Sequence, residues 1–161
     1  GTRQNSYHTL AGMRVVLADG AVLDTEDPAS VAAFRASHAA LLDGLAALAA
    51  RVHADPALAA RIRHKYRMKN TTGYGLNALV DFDDPIDMLV RLMIGSEGTL
   101  GFISEIVYRT VPEHAHKASA LVVFHDLETA CRAVTALATS PVAAVELMDR
   151  PALASVAGKP G

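Results

Sequence analysis

The sequence predicts an α+β fold in which helices flank an antiparallel sheet. Three observations carry that expectation. "MRVVLADGAVLDT" (13–25) is apolar and β-branched on both sides of Asp19-Gly20, a strong short signal for a β-hairpin. "GFISEIVYRTV" (101–111) alternates and stops at Pro112, as a strand does. Between these lie Ala- and Leu-rich segments with apolar residues at helical spacing.

Taken in order, the hairpin leads into one long amphipathic helix predicted from Pro28 to about His53. It enters through Asp27-Pro28 and has Phe34, Leu41, Leu45 and Leu48 on its apolar face. Asp55-Pro56 opens a second, more basic helix, "PALAARIRHKYRM". "KNTTGYGLNAL" (69–79) reads as a loop running into a short element. "DDPIDMLVRLMI" (83–94) reads as a helix capped by Asp83 or Asp84. After the strand at 101–111, "VPEHAHK" marks a boundary, which divides the chain into 1–112 and 113–161. The second part reads as strand ("KASALVVFHD"), helix ("LETACRAVTALATS") and strand ("VAAVELMD"), with one more helix starting at "RPALASVA".

Composition narrows the function classes. The chain has 161 residues, 51% of them apolar, enough for a real core. Fifteen basic and seventeen acidic residues, read as mixed along the chain, argue against nucleic acid as a partner. The single cysteine, Cys131, excludes an internal disulfide framework. It fits a reducing cytoplasm, with attachment to a membrane surface left open, and its place on an Ala-rich helix predicts burial. The most apolar run, 39–50, is shorter than the ~20 residues a membrane span needs. The first and last residues suggest a fragment of a larger protein.

The chemistry-bearing candidates are few. "IGSEGTLGF" (94–102) packs three glycines between a helix and a strand, where it is either a tight turn or a seat for a ligand. It is neither a P-loop nor a Rossmann turn, since it lacks the lysine and the strand-to-helix order. On the residues alone a turn is the simpler reading. His114 and His116 could share a strand face as metal ligands do, but with no third ligand at suitable spacing they read as linker histidines, and no metal is expected. "DFDDPID" lacks the glycine and distal glutamate of a calcium loop. No G-x-S-x-G nucleophile occurs.

"IGSEGTLGFISEI" resembles the closing segment of the FAD-binding domain in FAD-linked oxidases of the vanillyl-alcohol-oxidase type. "KNTTGYGLNAL" resembles that family's lysine–glycine–tyrosine loop, and "GTRQNSYHTLAGMRVVLADGAVLDT" its preceding hairpin region. The likeness extends to the D-lactate and D-2-hydroxyglutarate dehydrogenase branch, in its bacterial form with iron–sulfur motifs further along. The resemblance implies that 1–112 is the second subdomain of the FAD-binding domain and that 113–161 begins a ferredoxin-like substrate cap. It implies FAD as cofactor of the intact protein, a small 2-hydroxy acid as substrate and an unspecified electron acceptor. Iron–sulfur clusters would lie outside this chain. Glu97, Gly98, Thr99, Leu100, Gly101, Phe102 and Ile103 would line the FAD, with Gly1, Thr2 and Asn5 as further contributors. Lys69 and Tyr74 would approach flavin or substrate. The metal-binding and catalytic residues of the family's cap fall beyond this chain. A flavoenzyme acting on an alcohol or a sugar, or a non-catalytic binding or assembly module, are the rival readings.

Overall fold

A computed structural model describes residues 4–70, 73–137 and 139–158. The chain divides into two compact units, Gly1–Val111 and Pro112–Gly161. Gly1 and Thr2 lie outside the described residues.

The first unit is built on a three-stranded antiparallel sheet of order β2-β1-β3, with β1 at Leu10–Val16, β2 at Val22–Asp24 and β3 at Phe102–Tyr108. The α+β expectation is therefore met. The hairpin turns where Asp19-Gly20 predicts. Gly20 takes φ +85, its N–H reaches Leu17 O at 2.9 Å, and the Asp19 carboxylate accepts from Ala21 N at 3.0 Å. Such a turn needs a residue that tolerates positive φ, and glycine does so at no steric cost.

The predicted long helix is two helices, α2 (Pro28–Ser37) and α3 (Ala39–His53), bent by 87°. His38 sits between them at φ −120, ψ 29, outside helical geometry. Its ring stacks on Phe34 with centroids 4.3 Å apart, and its Nε2 lies 3.0 Å from Asp19 Oδ2 in the hairpin turn. The break resets the helical phase. Leu42, Leu45, Ala49 and Val52 face the core, whereas Leu41 and Leu48, in phase with Phe34 only on an unbroken helix, are exposed. Among the described residues no single helix is long and apolar enough to cross a membrane.

α4 (Pro56–Lys65) and α6 (Pro85–Met93) start as their Asp-Pro entries predict. Asp55 accepts from Leu58 N, and Asp84 from Ile86 N. A short α5 (Ala78–Asp81) separates them. α6 is buried from Met88 to Met93 and forms the centre of the core with Leu10, Met13 and Val15 of β1. The sheet packs one face on this core. On the other face Arg14 bridges both neighbouring strands, to Asp24 at 2.6 Å and Glu105 at 2.9 Å.

The second unit holds α7 (Leu127–Leu137) and α8 (Arg150–Val156), each with an aspartate at its entry: Asp126 accepts from Thr129 N and Asp149 from Ala152 N. The two strands expected on either side of α7 are absent among the described residues. A strand exists by its ladder, and these apolar runs have no ladder partner among the described residues. Leu121 and Val123 stand 80% and 86% exposed. With no layer over α7, Cys131 is exposed instead of buried. Among the described residues no group of three potential metal ligands forms, His114 and His116 included.

Candidate functional site

The glycine loop follows α6 directly. Ile94 is the C-cap, and Ser96 N donates to Met93 O at 3.2 Å. Ser96 is buried, and its carbonyl accepts from Thr99 N at 3.0 Å and from Thr99 Oγ1 at 2.6 Å. Glu97 and Gly98 at the tip take φ +52 and +79. Their N–H groups have no acceptor among the described residues. A positive φ at glutamate is uncommon and costs about 1–2 kcal/mol, which the two bonds to Ser96 O offset.

The three glycines have different reasons. A Cβ on Gly101 would stand 2.9 Å from Val16 O and 3.0 Å from Met93 Cε, so its absence lets β3 lie against β1. A Cβ on Gly95, which takes φ +83, would stand 3.3 Å from Gly73 O, where two loops come close. A Cβ on Gly98 would meet nothing within 4 Å. Packing within the chain therefore accounts for Gly95 and Gly101 but leaves the open space over Gly98 unassigned.

Tyr74 is brought to this loop. Its hydroxyl lies 2.9 Å from Thr99 Oγ1. Thr99 spends its own hydrogen on Ser96 O, so Tyr74 is the donor. Tyr66, which the sequence reading missed, fixes Tyr74 in turn. Its hydroxyl donates to Tyr74 O at 2.8 Å and accepts from Leu76 N at 3.0 Å. Nothing in a tyrosine at the end of a basic helix signals that clamp.

Next to the loop, Val16 pairs with Phe102 on one side and Val22 on the other. Residues directly opposite share a face, so the three form an apolar row across the sheet. It lies on the face away from the core, with Phe102 69% and Val22 51% exposed. Leu100 and Ile103 turn inward and pack on the core. Lys69 is exposed. Asn5 caps the one-turn helix α1 (Ser6–Thr9) and lines a separate groove with Gln4, Thr9, Tyr108 and Arg109, none of them in the glycine loop.

A second polar feature went unread in the sequence. Arg91 is buried under Tyr7 and Phe82, its guanidinium carbon 5.7 Å and 4.9 Å from their ring centroids. One nitrogen donates to Leu10 O at 3.2 Å, while Nε and Nη1 have no partner among the described residues. Burial pulls Arg91 below its usual pKa, and the aromatic faces supply part of the missing solvation. The Tyr7 hydroxyl is pushed up by burial and by its 2.8 Å bond to Asp81, which also accepts from Asn77. This cluster ties the N-terminal turn to α5 and α6.

Residues 113–161 match the family model of FAD linked oxidases, C-terminal domain. The glycolate oxidase subunit GlcD of Bacillus subtilis (strain 168) is 33% identical over 67 residues, which is 40% of this chain and 14% of that protein. The family match is to FAD-linked oxidases, and the relative is by name an oxidase subunit. The chain spans about a seventh of that relative's length. No solved structure matches.

The residues around Gly98 suit part of such a cofactor. Free N–H groups, open space and a neighbouring apolar row fit ring or sugar atoms. The loop carries no cation, and the exposed Glu97 opposes a pyrophosphate.

Proposed function

We propose that the chain is part of an FAD-dependent oxidoreductase that oxidises a D-2-hydroxy acid such as D-lactate or D-2-hydroxyglutarate. The open space over Gly98, beside the acceptor-free N–H groups of Glu97 and Gly98, is the observation that carries this reading: positive φ accounts for the glycine, and no atom of the described residues lies within 4 Å of where its Cβ would be. The match at 113–161 and the likeness to a glycolate oxidase subunit support the same class. FAD, when bound, supplies the acceptor for the substrate's hydride equivalent. The chain's own contribution is a wall. Gly98 admits the cofactor to the backbone, the Glu97 and Gly98 N–H groups donate to it, and the Val16–Phe102–Val22 row excludes water beside it. Tyr74 holds the tip through Thr99.

The test uses the full-length flavoprotein. Gly98→Val places a branched side chain in the open space, and flavin should be lost from a protein that remains folded by circular dichroism. A stoichiometrically yellow Gly98→Val protein would overturn the assignment. Flavin bleaching by D-lactate or D-2-hydroxyglutarate, but not by alcohols or sugar lactones, checks the substrate class.

A further inference from the structure

The expectation of evenly mixed charge fails in one stretch. Between Asp55 and Asp81 there is no acidic residue, and Arg61, Arg63, Lys65, Arg67 and Lys69 fall at alternate positions within it. Beside this stretch lies a groove of about 480 Å³ between α4 and residues 73–76. Leu58, Arg61, Ile62, Lys65, Tyr66 and Tyr74 form its walls, and Asn70, Gly73 and Leu76 complete it. From this we infer that the groove is a binding site for a small organic anion, a phosphate or carboxylate head on an apolar or aromatic body.

Three features carry the inference. Arg61 and Lys65 stand four apart on α4, so both project from one face of the helix. Neither makes an ion pair or a side-chain hydrogen bond among the described residues. Five cations on nine residues repel one another with no acid to offset them, and a bound anion relieves that repulsion. Apart from Asn70 and Gly73, the remaining walls are apolar or aromatic: Ile62 is buried, and Leu58, Tyr74 and Leu76 are 39%, 43% and 46% exposed. A bare inorganic ion would leave those walls wet.

The volume falls in the small-molecule range of ~300–1,000 Å³, which favours a compact ligand over a polymer or a flat membrane surface. The groove shares Tyr74 with the glycine loop but no residue of the loop itself. The site therefore does not rest on the flavin reading, and either can fail alone.

The 161-residue chain is titrated with phenyl phosphate, inorganic phosphate and benzoate, and followed by amide chemical shifts and calorimetry. Phenyl phosphate should saturate with shifts confined to 58–66 and 73–76, and inorganic phosphate should bind about tenfold more weakly. The double variant Arg61→Ala/Lys65→Ala should lose about tenfold in phenyl phosphate affinity, while Arg35→Ala should not. Both substitutions are solvent-facing, and alanine favours helix, so the fold is retained. The glutamine pair Arg61→Gln/Lys65→Gln gives the same readout with the side-chain length kept. No saturable shift in the millimolar range would overturn the site, as would equal weakening by Arg35→Ala. Tighter binding of anionic vesicles or duplex DNA through these cations, uncompeted by phenyl phosphate, would also overturn it.

Discussion

Tyr74 and Thr99, twenty-five positions apart in the chain, are joined hydroxyl to hydroxyl at 2.9 Å, and Thr99 passes the chain of bonds on to Ser96 O. A tyrosine of one loop thereby sets the shape of another. Tyr74→Phe keeps the ring and removes only the donor. Its cost should sit at the low end of about 0.5–1.5 kcal/mol, since the site is half exposed. The Thr99 amide, bonded to Ser96 O, should exchange faster, and Thr99→Val should do the same. If the two act through one bond, the double variant loses less than the sum of the singles in a double-mutant cycle.

The two kinds of glycine in the loop should respond differently. Gly101→Ala drives a methyl against Val16 O and Met93, and overpacking of that kind costs about 1–3 kcal/mol. Gly98→Ala meets no atom and pays only for its positive φ, about 1–2 kcal/mol. Asparagine separates the causes, because it tolerates left-handed backbone. Gly98→Asn should recover most of the loss in denaturant melts, and Gly101→Asn should be worse than Gly101→Ala.

Local signals in the sequence were legible. Asp19-Gly20 and the Asp-Pro entries at Asp27, Asp55 and Asp84 each act within a few residues and formed as predicted, and the strand read at 101–111 forms over Phe102–Tyr108. What was not legible depends on distant partners. The break at His38 has no glycine or proline to announce it, and it is fixed by Phe34 and Asp19. The strands expected on either side of α7 needed ladder partners that a periodic pattern cannot supply. At the candidate site, the glycines were visible as glycines, but their separate reasons were not, because Val16 O and Gly73 O are remote in sequence. The Tyr66–Tyr74 clamp and buried Arg91 left no local trace at all.

Asp84 does two things, and substitution can part them. One carboxylate oxygen caps α6 through Ile86 N at 2.8 Å, and the other meets Arg35 at 2.5 Å. Both side chains of the ion pair are over 40% exposed, so the pair should contribute little. Asp84→Ala should therefore cost about 1 kcal/mol, nearly all of it the cap. Asp84→Asn should retain most of that, and Arg35→Ala should be close to neutral in thermal melts. A large Arg35→Ala effect would show that the pair, and not the cap, dominates.

The pH dependence of stability in the first unit should come from three aspartates: Asp24 on the sheet, Asp19 in the hairpin turn and Asp87 on α6. Asp24 is held below the usual aspartate range first by the hydrogen bond from Arg14 and then by Glu26 N–H. Asp19 is held down by Ala21 N–H and by His38. A group depressed in the folded state adds stability above its unfolded pKa of about 3.9, and that stability is lost as pH falls through the folded value. Asp87 runs the other way. Burial raises it, with the charge of Asp84 adding to the effect, so the folded protein binds its proton more readily than the unfolded chain does. Asp87 therefore costs stability as pH rises from about 4 through its raised value. Melting temperatures should fall below pH ~4 and show a shallow opposing slope just above it. Asp24→Asn should flatten the acid limb, Asp87→Asn should remove the opposing slope, and an acid limb unchanged in Asp24→Asn would place its origin elsewhere.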